Sequence, residues 1–283
     1  MSLMVAHICI FDAEDHCTQA CKEYKGYLAL SDSFKCVFLE TVELINTECR
    51  PKITNQLSES YVLFVPRLVH GFQSLCGAEM LATKGYPYHA YTLLRNTFDT
   101  LVLVAAALQG ITDFYSIEGI DPGEEFDPKA SKRLRKDTEY EVRRQMTGSK
   151  SGLKQETIDE LAQWDALFDA EVHGARLSLA DTQGWMKGQA PLPVLPVFNE
   201  RAFAMFMNRF CEIAWTICRL LPLVQPPEAP LNDTWKGKWQ ILDQSFASMV
   251  GSLTSELDKK IGAAIACFVG AKFPFNENSS FPL

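Results

Sequence analysis

The chain has 283 residues, 47% hydrophobic and 22% charged, the balance of a globular protein rather than a disordered one. Its 35 acidic and 27 basic residues leave a net charge of −8, which excludes indiscriminate coating of nucleic acid but not a local basic patch. The 9 cysteines are odd in number and irregularly spaced, and no positively charged start precedes an apolar run. Reduced, buried thiols in a cytoplasmic protein are therefore expected.

In chain order, residues 4–30 stay open, because Val5–Phe11 suits either a short strand or the first turns of a helix. From Phe34 on, Val37, Phe38, Val42, Leu44 and Ile45 recur at three- and four-residue steps and predict a helix ending at Pro51. Leu57, Tyr61, Phe64, Leu68, Phe72 and Leu75 continue the helical period. Pro66 should kink or break that segment near Phe64, and Gly85 and Pro87 end it. The segment 88–109 has the clearest period: Leu94, Phe98, Leu101, Ala105 and Leu108 share one face, broadened by Leu93, Thr97 and Val104. So wide an apolar surface predicts a central helix touched by several others, capped by Gly110.

Residues 111–127 read as a loop punctuated by Gly119, Pro122 and Gly123. Residues 128–147 read as a charged helix with Pro128 in its first turn, followed by a flexible break at Gly148–Gly152. A helix is expected over 155–180 on Ile158, Leu161, Phe168, Val172, Ala175 and Leu179, then a loop over Gly184–Pro196. Asn199 should N-cap a helix to Leu221. Pro222–Pro230 is a proline-rich connector, and a last helix is predicted from about Trp239 to Phe268. The expected fold is all-α: a mainly antiparallel helical bundle with additional N- and C-terminal helices. Residues 4–221 form the bundle domain and 222–233 the connector. Residues 234–283 carry a helix that packs on the bundle or on a second subunit. No membrane span is expected, since the longest apolar run, Leu101–Leu108, falls far short of the roughly 20 residues required.

Chemistry centres on polar islands inside these apolar stretches. Arg95 and Asp99 stand four residues apart, so they share a helical stripe and can pair, with Tyr91 one turn earlier. On the later helix, Asp165, Asp169, His173 and Arg176 follow at steps of four, four and three. If the helices are neighbours, His173 can be oriented by Asp169 or Asp99 and face Arg95. An imidazole held by a carboxylate beside a guanidinium is the minimum equipment for proton transfer onto a phosphate ester. The same trio also serves, without chemistry, to join helices and set their register.

The run Tyr91-Thr-Leu-Leu-Arg95-Asn-Thr-Phe-Asp99, followed later by Phe168-Asp-Ala-Glu-Val-His173-Gly174, resembles uncharacterised bacterial families with a HEPN-like helical bundle. The likeness covers roughly residues 54–180 and matches Arg95, Asp99, His173 and Gly174 to the family pattern. It implies a helical protein akin to the ribonucleases of toxin–antitoxin and phage-defence systems. The compact arginine–polar–histidine signature of those ribonucleases is absent: no histidine lies four to six residues beyond Arg95, and Arg176 follows His173 instead of preceding it. Catalysis would then draw residues from two helices or two subunits.

Other constellations point less far. Lys129-Ala-Ser-Lys-Arg-Leu-Arg-Lys136, with Arg143, Arg144, Lys150 and Lys154, concentrates cations that can meet RNA or nucleotide phosphates. Asp137, Glu139 and Glu141 interrupt it, which favours a solvated, ion-paired helix face. His16, Cys17 and Cys21 lack the further ligands a metal needs, and His70, Glu79 and His89 lack a bundle-metal spacing, so no metal is expected. No phosphate loop or dinucleotide fingerprint occurs, and no cofactor is expected. Wide apolar faces and a terminal helix with Gly251, Gly262 and Gly270 predict a homodimer. The expected function is an interaction or regulatory module, defence-associated by the family likeness, with a structural Arg95–Asp99–His173 cluster. The alternative is a metal-independent ribonuclease or nucleotide-binding enzyme with His173 as general base and acid and Arg95 as phosphate clamp.

Overall fold

The structure is a computed structural model describing residues 10–49, 64–121, 123–146, 195–224 and 231–244, together with Asp159, Ala162, Ala166 and Phe246. Helix α1 spans Ile10–Cys21, and a 3-10 turn at Lys22–Tyr24 leads into α2, Lys25–Leu44, which ends in a π turn at Ile45–Cys49. Helices α3 (Phe64–Thr83), α4 (Pro87–Leu108), α5 (Phe114–Glu118), α6 (Pro128–Met146) and α7 (Glu200–Leu220) follow, and a 3-10 turn closes α7 at Leu221–Val224. A last helical stretch, α8, covers residues 233–244. The described residues contain no strand. Among them, no helix is long and apolar enough to cross a membrane.

The helix ends follow local chemistry. Pro66 is the third described residue of α3, and the stretch ahead of Phe64, where a kink or break was expected, lies outside the described residues. Thr83 ends α3, and Gly85 takes a left-handed φ of 92° before Pro87 starts α4. Gly110 adopts φ 73° just beyond α4, as its capping role requires. At α7, the Asn199 side chain accepts a hydrogen bond from the Ala202 N–H at 3.0 Å.

Two segments differ from expectation. The region expected as loop at 111–127 contains α5, because Asp113 Oδ1 accepts from the Ser116 N–H at 2.8 Å and Gly119 closes the turn at φ 70°. A Cβ at Gly119 would run into the Ser131 carbonyl, so the glycine also lets α5 sit against α6. The last helix starts at residue 233, ahead of the expected Trp239, since the Asn232 side chain takes the Trp235 N–H at 2.8 Å. The open choice near Val5–Phe11 resolves in part, with Ile10 and Phe11 beginning α1. The expected helix over 155–180, with His173 and Gly174, lies outside the described residues apart from isolated positions.

Helix α4 is the centre of the packing. Thr97, Phe98 and every residue from Thr100 to Ala106 are buried, so little of its second half meets water. Helix α3 runs back along it, bringing the small buried residues Gly71, Ser74, Ala78 and Ala82 to one side. Thr97 Oγ1 donates to the Gly71 carbonyl at 3.1 Å, and a Cβ at Gly71 would lie 3.6 Å from Thr100. On other sides of the core, Phe38 of α2 meets Phe72 edge-on at 5.6 Å, and Tyr91 of α4 meets Phe206 of α7 at 5.2 Å. Helix α8 closes the α2–α7 side. Trp235 is 1% exposed and donates to Thr41 Oγ1 at 2.8 Å, and Phe246 stacks on Trp215 at 4.5 Å.

Leu101, at 0% exposure, lies at the middle of this arrangement. Leu101→Ala is expected to lower unfolding free energy by about 2–5 kcal/mol, read by denaturant titration with an unchanged m-value.

Candidate functional site

Arg95 and Asp99 occupy one stripe of α4 because 3.6 residues per turn place positions four apart on the same face. Arg95 Nε lies 3.3 Å from Asp99 Oδ2. A residue from a second element joins them: Arg143 Nη2 of α6 lies 3.2 Å from Asp99 Oδ1. The Asp99 carboxylate thus engages a guanidinium at each oxygen, one from its own helix and one from the charged helix. The side chains of Arg95, Asp99 and Arg143 are 16%, 30% and 33% exposed, so the cluster sits at the edge of the core. Tyr91, one turn earlier on the stripe, is buried and turns its ring to Phe206.

The site combines half-burial with two cations around one anion. Half-burial strengthens each attraction relative to open water. As a device it ties α6, whose own apolar face is narrow, to the central helix. Proton transfer needs an imidazole in addition, and His173 lies outside the described residues. Neighbouring polar contacts on α4 bind it to α3: Asn96 Nδ2 lies 2.9 Å from His70 Nε2 and donates to Ser74 Oγ at 3.0 Å.

A second polar cluster lies deeper, between α2, α3 and α7. Glu79 is 9% exposed. Its carboxylate accepts from Ser31 Oγ at 2.8 Å and pairs with the Lys35 ammonium. Burial lowers the Lys35 pKa, but its bonds to Asp32 and Glu79 raise it by more, so the ammonium stays charged. On α7, Glu212 is 6% exposed and accepts from Arg209 Nη1 at 2.8 Å and Asn208 Nδ2 at 3.3 Å, while Asn208 Oδ1 faces the Tyr27 hydroxyl at 3.5 Å. Burial pushes the Glu212 carboxyl up against the opposing pull of Arg209 and Asn208. Sequence reading passed over this cluster. The signal was present in Asn208 and Glu212, four apart among Met207, Phe210, Cys211 and Ile213 of α7, the same polar-island pattern as Arg95 and Asp99.

The cysteines add no chemistry to either cluster. Cys17, Cys21, Cys211 and Cys218 are buried free thiols, and Cys76 is partly buried. Burial pushes the Cys21 thiol up to about 12 and Cys211 well above its ordinary value, the opposite of an activated nucleophile. Cys21 Sγ donates to the Thr83 carbonyl at 3.6 Å. Among the described residues, no three His, Cys, Asp or Glu side chains converge as a metal would need.

Two outcomes are expected. Asp99→Asn and Arg143→Gln each lower stability by about 1 kcal/mol, and the double variant loses less than their sum, as a double-mutant cycle by denaturant titration will read. For Glu212, the folded protein holds the proton more tightly than the unfolded chain. Its contribution to stability is therefore greatest at low pH and falls as pH rises through the raised folded pKa. The melting temperature of the native protein, minus that of Glu212→Gln, should thus decrease as pH rises above the ordinary carboxylate range of about 4.

No family model matches the chain, and no similar curated protein or solved structure is found, so residues and geometry alone carry the functional argument.

Proposed function

We propose that this chain is a HEPN-like helical interaction or regulatory module of the cytoplasm, acting as a homodimer or on a protein partner, in which Arg95, Asp99 and His173 are structural. The observation that supports this reading is the double engagement of Asp99. Its two oxygens face Arg95 at 3.3 Å and Arg143 at 3.2 Å, which holds α6 to α4. A carboxylate that joins two helices in this way has a structural task that needs no imidazole.

The basic stretch from Lys129 to Lys154 follows the same logic over its described part. Arg143 is drawn inward to Asp99, and Arg144 Nε and Nη2 donate to the Glu141 carboxylate at 2.8 Å and 2.6 Å. Arg133 faces Asp137 at 3.6 Å. Cations engaged this way weaken the case for an RNA or nucleotide site, which needs them turned to phosphate.

The test is RNA cleavage without added metal, measured together with thermal melting, for the native protein, His173→Ala and Arg95→Gln. The module reading expects no cleavage by any of the three and a lower melting temperature for both variants. Cleavage by the native protein, lost in His173→Ala at an unchanged melting temperature, would overturn it in favour of a metal-independent ribonuclease.

A further inference from the structure

The junction of α5 and α6 carries a groove of about 170 Å³. Ile120, Phe126, Ala130 and Leu134 provide its apolar lining, and Asp121, Glu124 and Glu125 stand along it with no cation among the lining residues. Phe126, 76% exposed, and Ile120, 39% exposed, leave apolar surface open beside those carboxylates. Large apolar side chains held open at a concave surface mark a place where another surface docks. The volume suits one aromatic ring, since an engineered cavity of about 150 Å³ in another protein takes up benzene. The acidic rim asks that the ring arrive with positive charge beside it.

The same chain presents such a group on α6. Tyr140 is 70% exposed, and Lys136 lies one turn before it, with Lys132 and Arg133 a turn further back. At about 100° per residue, Lys129, Lys132, Lys136 and Tyr140 fall within about 40° of one outward line of α6, which Arg143 shares near the helix end while reaching to Asp99. Asp137, Glu139 and Glu141 fall outside that sector. The outward pole of α6 is therefore an aromatic ring set among cations, the chemical complement of the groove.

Tyr140 cannot reach the groove of its own molecule. It lies six residues beyond Leu134, the nearest lining residue, about 9 Å along one continuous helix and about a third of a turn around it. Tyr140 can therefore meet such a groove only on another molecule.

We propose that two copies of this chain associate through α6: Tyr140 of one enters the α5–α6 groove of the other, and Lys132 and Lys136 meet Asp121, Glu124 and Glu125. This proposal rests on the interaction-module reading and names its partner and surface. It is distinct from a dimer built on the C-terminal helix.

Sedimentation velocity of the full chain over a range of concentrations tests it. The native protein should self-associate, more weakly as salt rises. Tyr140→Ser should raise the dissociation constant at least tenfold with the melting temperature unchanged, because Tyr140 is exposed. Lys132→Glu/Lys136→Glu and Glu124→Lys/Glu125→Lys should each fail to self-associate but should associate when mixed. A native protein that stays monomeric overturns the proposal, as does an oligomer unmoved by Tyr140→Ser and by the charge exchanges. So does loss of binding to a labelled single-stranded RNA in Lys132→Glu/Lys136→Glu from a monomeric native protein, which would assign the α6 cations to phosphate. Those failures leave the module reading standing. That reading falls to the cleavage assay.

Discussion

A helix with nine buried residues between Thr97 and Ala106 must be surrounded, and the neighbours of α4 are arranged to do this. An apolar surface that wide cannot be covered by one partner, because a helix contacts another along a stripe only. Helix α3 takes one side through small residues that let the backbones approach. Helix α7 takes another through Phe206, and α6 reaches the edge through Arg143. The Thr97 hydroxyl, deep in the α3–α4 contact, is satisfied by the Gly71 and Leu93 carbonyls, both at 3.1 Å, so close approach leaves no stranded polar atom there.

Polar groups inside this bundle obey one rule at two depths. At the edge of the core, Asp99 joins two guanidiniums from two helices. Deeper, Glu79 and Glu212 each keep a cation and a neutral hydrogen-bond donor: Lys35 with Ser31, and Arg209 with Asn208. Breaking such a pair leaves a charge uncompensated in a poor solvent, which is far costlier than the pair is stabilising. These clusters therefore act more as constraints on which helices sit together, and in what register, than as net sources of stability.

Helix α6 is the exception to inward-facing chemistry. Only a narrow seam, including Ser131, Thr138 and Val142, is buried, and the remainder is charged and solvated. It is held by α5 at one end and by Asp99 towards the other. A helix attached in this way presents its outer face on a rigid support, which is what a recognition surface needs.

The sequence by itself determined the helical class, the central place of the Tyr91–Gln109 segment and several helix ends. Periodicity and caps are local: Asn199, Gly110 and the Gly85–Pro87 pair act within a few residues of themselves. It was misread where a cap was weakly signalled, at Asp113 and Asn232. The Arg95–Asp99 contact was legible too, since a spacing of four residues brings two side chains together on any helix. Tertiary structure alone decided that Arg143 comes to Asp99, that Lys35 and Ser31 meet Glu79, that Trp235 finds Thr41, and that an acidic apolar groove opens where α5 turns into α6. Those pairings join residues tens to nearly two hundred positions apart. A helical repeat records which face of each helix is apolar, but not which helix will cover it.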